Sequence, residues 1–188
     1  MKTLILALLL CTGAAYAQQL KSGIFEPPRP APEISLPAST GKPFRLTDLR
    51  GKVVVLEFGF SHCQTVCPVS LAALAEAKKL VGPAARDVKV LFISVDPERD
   101  TPESLRTYLA QFDPTFIGIT GTRDQIAQLL KDYGITARKH PIDGGGDYSM
   151  SHSSYLYFID RQGRQRAMMP FGRPAREIAH DLAILLKP

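Results

Sequence analysis

The run Lys52-Val-Val-Val-Leu-Glu-Phe58 constrains the fold of this chain more than any other segment. It is a nearly unbroken series of apolar β-formers, the pattern of a strand buried on both faces. Such a strand needs cover on each side, and helical patterns flank it in the chain. Val69–Leu80 is rich in Ala and Leu at helical spacing, with Pro68 in its first turn. Thr101 as N-cap and Pro102 at the first position open a helix that runs through Ser104–Phe112. Thr122–Tyr133 is an amphipathic helix stopped by Gly134, and Pro174–Leu186 closes the chain as a fourth. Between these lie three more strand patterns, Val88–Val95, Phe116–Ile119 and Tyr155–Ile159. Asp160–Gly163 turns the last of them into Arg164–Met168. The alternation predicts an α/β domain with a mixed central sheet flanked by helices and a closing hairpin and helix. Gly41-Lys-Pro-Phe44 marks the turn of an N-terminal hairpin, and Ile135–Ser151, which contains Gly144-Gly145-Gly146, reads as a long mobile loop before the last hairpin.

The first 17 residues read differently. Lys2 precedes a short apolar run, Leu4–Leu10, and Ala15-Tyr-Ala17 has the small-x-small cleavage pattern. Together these predict a secretory signal peptide cut after Ala17. The run falls short of the about 20 apolar residues of a comfortable span; an uncleaved leader would make it a membrane anchor instead. Leu10 is too large for lipoprotein cleavage before Cys11. Residues 18–37 carry Pro27, Pro28, Pro30, Pro32 and Pro37 and read as an extended tether. The domain proper is expected over residues 38–188. The net charge of +5 is scattered, with no basic run interleaved with aromatics, which argues against a nucleic-acid partner.

Removal of the leader takes Cys11 with it and leaves Cys63 and Cys67 as the only thiols. Export places them where a disulfide can persist, but two cysteines do not make a disulfide scaffold. They follow a strand directly and precede a helix, so they sit at the carboxyl edge of the sheet, where open α/β folds bind ligands. Helix N-terminal N–H groups favour thiolates there. Three readings of the pair follow: a redox dithiol, a small structural disulfide, or two donors for a soft metal. The usual oxidoreductase spacing is Cys-x-x-Cys; the extra residue alters the geometry without preventing a bond.

A metal needs a third donor, and the histidines are His62, His140, His152 and His180. His180 lies mid-helix and reads as structural. His62 adjoins Cys63 but is free to point elsewhere, and His140 is an accessory donor on the long loop. His152 stands just before a strand whose start can face the cysteine turn. Two thiolates and an imidazole are an odd set for structural zinc, and an iron–sulfur cluster needs more cysteines. The set suits trigonal Cu(I) and, with a further donor, Cu(II), so copper is the better metal.

Phe44–Gly51, the motif Phe58-Gly-Phe-Ser-His-Cys63-x-x-x-Cys67-Pro68, the run Ser94-Val-Asp96-Pro-Glu-Arg99-Asp100-Thr-Pro102, and His152-Ser153 before Tyr155–Asp160 together resemble the Sco/SenC family. The resemblance implies a thioredoxin-like fold and a periplasmic metallochaperone that binds copper through Cys63, Cys67 and His152. It implies a copper-acceptor partner such as a cytochrome c oxidase subunit with a binuclear copper site, or another periplasmic copper protein, and a thiol reductant. It also allows a thiol-disulfide oxidoreductase acting on a partner's cysteines through Cys63 and Cys67. Many members have Pro-Asp where this chain has Gln64-Thr65. Thioredoxin-like reductases carry a cis-proline before the strand facing their cysteines. Met150–Ser154 has no proline there, which favours a metal over broad dithiol exchange.

Overall fold

The computed structural model describes residues 19–142 and 147–187. The leader, its cleavage site, Cys11 and Gly144-Gly145-Gly146 lie outside the described residues. In chain order the strands are β1 (Gly23–Pro30), β2 (Ser35–Pro37), β3 (Pro43–Arg45) and β4 (Val53–Gly59). Helix α1 (Val66–Val81) then leads to β5 (Val88–Ser94), α2 (Pro102–Ala110), β6 (Ile117–Ile119) and α3 (Arg123–Tyr133). The chain ends with β7 (Ala137–Pro141), β8 (Tyr148–His152), β9 (Tyr155–Ile159), β10 (Arg164–Pro170) and α4 (Ala175–Leu185).

Six strands form the central sheet in the order β1-β10-β9-β4-β5-β6. Strands β4, β5 and β6 run parallel, while β9, β10 and β1 add antiparallel neighbours. This is the expected mixed sheet, in a thioredoxin-like fold. Every residue of β4 is buried, because both of its faces are covered. Val53 and Val55 pack with Leu71 and Leu74 of α1, Leu105 of α2 and Leu182 of α4. Val54, Leu56 and Phe58 pack with Leu129 and Tyr133 of α3, and with Ile34, Phe44 and Leu46 from the N-terminal segment. Phe58 meets the Tyr133 and Tyr157 rings at 5.4 and 5.9 Å. Helix α3 starts and stops as its sequence dictates: Thr122 and Gln125 form a reciprocal capping box, and Gly134 ends it at φ 67°.

Two segments differ from the sequence reading. The proline-rich stretch taken for a tether contains β1, paired antiparallel with β10, and β2, paired with β3. Pro27 and Pro28 lack a ladder N–H, yet they fall in the irregular stretch between the paired residues Ile24 and Arg29, on an outer strand. The start of β1 is fixed by Asp181 of α4, which is fully buried. Its carboxylate accepts from the Lys21 and Ser22 backbone N–H groups at 2.7 and 2.9 Å and from the Ser22 hydroxyl. Asp181→Ala leaves these donors without a partner. It is expected to cost roughly 3 kcal/mol in thermal unfolding and to speed amide exchange at Ile24. Unchanged exchange there would mean that β1 is held by its ladder alone.

The second difference concerns Ile135–Ser151, read as a loop. It contains β7 and most of β8, which pair antiparallel with Ala137 opposite His152 and Pro141 opposite Tyr148. Among the described residues the ribbon belongs to no larger sheet. Its β8 side chains alternate between half-buried and exposed, with Tyr148, Met150 and His152 on the inner face.

Candidate metal centre

Strand β4 ends at Gly59, and the turn that follows carries Cys63 before α1 begins at Val66. Gly59 has a steric role. A Cβ there would lie 2.6 Å from the Phe92 ring and 2.8 Å from Cys67 Sγ, so only glycine lets that sulfur lie against the strand backbone. Cys67 is fully buried in the second position of α1, and Cys63 is half-buried; both are free thiols.

Helix α1 has no side-chain cap from Thr65, so its first N–H groups are open. The Cys63 sulfur fills that role. It accepts first from the Cys67 thiol and then from the backbone N–H groups of Cys67, Thr65 and Val66, which together bring its pKa down to about 4 against the cost of burial. Cys67 moves the opposite way, well above the ordinary thiol range, because its proton is held by Cys63 and because it is buried. The pair is therefore a nucleophilic thiolate beside a protonated thiol.

His152 enters from β8. Its Nδ1 lies 3.0 Å from the Ser153 carbonyl, which can only accept, so Nδ1 carries the proton. Nε2 faces Cys67 Sγ at 3.9 Å, and in the neutral ring it is the nitrogen that keeps a lone pair. The ring stands edge-on to Phe60, centroids 6.0 Å apart. The structure thus brings Cys67 and His152 together, with the Cys63 thiolate accepting a hydrogen bond from the Cys67 thiol. Among the described residues no three His, Cys, Asp or Glu side chains are gathered closely enough to enclose a metal ion.

The other histidines stand apart. His62 bonds Ser61 Oγ at 3.1 Å and points toward Asp100, 3.9 Å away. His140 pairs across the ribbon with Ser149 and bonds Ser151 Oγ at 2.7 Å, on the face opposite His152. His180 contacts Asp181 at 2.9 Å, at the anchor of β1.

Three features escaped the sequence reading. Asp100 is buried and accepts from the Ser61 N–H, the Ser61 hydroxyl and the Ser94 hydroxyl, tying the cysteine turn to the end of β5. Arg99 joins Asp96 to the ribbon through Asp147 and the Tyr148 carbonyl. Glu57, inside the apolar β4 run, lines a small pocket with Ser70 and His152. Burial first, opposed by a hydrogen bond from Ser70 and reinforced by the charge of Cys63, pushes its carboxyl up to about 8. The visible signal was a single acid in a strand that otherwise buries every side chain.

The sequence profile of the SCO1/SenC family matches residues 26–187. The chain is 40% identical over 126 residues to the mitochondrial protein SCO2 of Saccharomyces cerevisiae, covering 66% of this chain and 42% of that protein. It is 32% identical over 156 residues to the mitochondrial SCO1 homolog of Homo sapiens, covering 82% and 52%. The chain therefore spans about half the length of these relatives. Among solved structures, it superposes on Bradyrhizobium japonicum ScoI with copper bound at a TM-score of 0.76 and 37% identity, covering 83% of this chain and 99% of that one. Yeast Sco1 with copper bound gives 0.71 and 30%, covering 81% and 85%.

Proposed function

Because the chain belongs to the SCO1/SenC family, we propose that it is an exported copper carrier. It takes copper as cargo through Cys63, Cys67 and His152 and delivers it to, or prepares, a copper enzyme such as the binuclear copper site of cytochrome c oxidase. The observation that carries the proposal is His152 Nε2 facing Cys67 Sγ at 3.9 Å, with the Cys63 thiol favoured as a thiolate beside it. The copper-bound relatives support the choice of metal. The donors are soft sulfur and imidazole, which suits Cu(I) first. Cys67 must lose its proton on loading, so binding releases a proton and strengthens with pH. The incompletely gathered donors suit a carrier, since a ligand that can swing away lets an acceptor's donor take its place. The leader reading places the protein in the periplasm or outside the cell. Among the described residues no helix is long and apolar enough to cross a membrane.

Reduced protein is expected to bind about one equivalent of copper, with affinity lowered 10–100-fold or more in His152→Ala, on the order found for altered metal environments. Unchanged affinity and an unchanged Cu(II)–thiolate absorption band in that variant would remove His152 from the ligand set.

The thiol pair favours a second reading, a reductase for a partner's disulfide. The Cys63 thiolate attacks one partner sulfur, forming a mixed disulfide and releasing the other as a thiolate. Cys67 then gives up its proton and attacks Cys63, which releases the second partner thiolate and leaves a Cys63–Cys67 disulfide, two electrons having passed to the partner. This activity would need both cysteines, survive His152→Ala, and depend on an outside reductant to restore the thiols.

A further inference from the structure

We infer that Asp96, Arg99 and Tyr148 form a latch that sets the position of His152, making them positioning residues for copper binding. The inference rests on the ligand role proposed for His152, but the contacts that carry it lie outside the donor set.

Among the described residues the ribbon that carries His152 pairs only with itself, and an isolated two-stranded hairpin is marginal in water. Its attachments therefore decide where the imidazole sits. The densest attachment is at Tyr148, four residues before His152 on β8 and on the same face. The Tyr148 hydroxyl donates to Asp96 Oδ1 at 2.7 Å. The Arg99 guanidinium lies 3.8 Å from the centre of the Tyr148 ring, and its Nη1 donates to the Tyr148 carbonyl at 3.0 Å and to Asp147 at 3.1 Å. Nε of Arg99 donates to the other oxygen of Asp96. Asp96, the centre of these bonds, is buried, and its own N–H donates to Ser94 Oγ at 3.0 Å.

The same short loop also grips the other half of the site. Asp100, one residue beyond Arg99, holds the Ser61 N–H at 3.1 Å, two residues before Cys63. Arg99 further approaches the Phe60 ring at 5.9 Å, and Phe60 is the ring that abuts His152. Residues 96–100 thus set the distance between the cysteine turn and the histidine ribbon. Lys139 adds a weaker tie, packing 3.6 Å over the Tyr148 ring and pairing with Glu98 at 2.9 Å in an exposed position.

The test combines Arg99→Met and Tyr148→Phe, each made alone and with His152→Ala. Copper(I) affinity is read by competition with a chromophoric chelator. In the apoprotein, the nuclear Overhauser contact between the His152 and Phe60 rings is followed by NMR. Arg99→Met is expected to weaken copper binding about 10–100-fold and Tyr148→Phe about 10-fold, the range seen when partners that orient metal ligands are lost. In the His152→Ala background neither change should weaken binding further, and in the apoprotein Arg99→Met should diminish the ring contact. Equal losses in both backgrounds, or an undiminished ring contact in Arg99→Met, would overturn the latch. If His152→Ala alone leaves affinity intact, the ligand assignment fails, while the apoprotein ring contact still decides the latch.

Discussion

Cys63→Ser and Cys67→Ser are each expected to weaken copper binding on the order of 10³-fold, since each removes one of a few donors that share the binding free energy of a thiolate site. Their thiol chemistry should nevertheless differ. In the wild type the Cys63 thiolate is held first by the Cys67 thiol, with its pKa at about 4. Its alkylation rate should therefore be level above about pH 5. Cys67→Ala removes the leading donor and leaves only the backbone N–H groups of the first helical turn. The midpoint then moves up toward the ordinary thiol range, and the rate climbs between pH 5 and 8. Cys67→Ser keeps a hydroxyl donor and should fall between the two. Cys63→Ser should be almost inert, because Cys67 is fully buried and protonated. The measurement is iodoacetamide alkylation against pH. A profile for Cys67→Ala that matches the wild type would show that the helix terminus alone sets the acidity of Cys63.

Glu57→Gln is expected to stabilise the reduced, metal-free protein at neutral pH. In the unfolded chain this carboxyl ionises near 4.5, whereas in the fold burial holds it protonated up to about 8. The sign follows from proton uptake. Below 4.5 both states carry the proton and Glu57 contributes no pH dependence. Between 4.5 and 8 the unfolded chain has lost the proton that the fold retains, so stability falls by about 1.4 kcal/mol per pH unit. At pH 7 the accumulated cost is about 3 kcal/mol. Glutamine keeps the shape and the bond to Ser70 and removes the ionisation. One Glu57 oxygen is buried without a hydrogen-bond partner, and an amide N–H₂ in its place is left unpartnered too, so part of the gain is lost. Urea unfolding of both proteins from pH 4 to 8 should give a stability difference that is constant below about pH 4.5 and moves in favour of the glutamine variant above it. Parallel curves would show that Glu57 reaches water.

The central strands and all four helices were legible because their signals are local. Thr122 and Gly134 bracket α3 through their own backbone geometry, and the apolar run of β4 leaves no other way to be buried. The ribbon was not legible, because β7 is exposed along most of its length and gains its order from β8 across the chain. Tyr148-Ser-Met150-Ser-His152 does alternate with a period of two, a strand signal that the loop reading of Ile135–Ser151 passed over. The three proposed donors were visible as residue types. The bonds that bring them near each other run through Asp96, Arg99 and Asp100, which the sequence presented as part of the family-like run and as the approach to a helix, without their partners. An aspartate whose partners are 39 residues away, as with Ser61 and Asp100, leaves no periodic trace.

The prolines that made β1 resemble a tether have a further consequence for how the molecule behaves in a crowd. An outermost strand ordinarily offers a row of free N–H and C=O groups on which another chain can add itself. In β1 that row is broken, because Pro27, Pro28 and Pro30 have no N–H to offer. At the opposite end of the sheet, Ala38 bridges to Ile119, and the Ser39 N–H and hydroxyl bond to Gly118, so β6 is covered as well. The prolines that hid the first strand thus interrupt one outer edge and the Ala38–Ser39 segment covers part of the other, which leaves less of the sheet open for another chain to add itself.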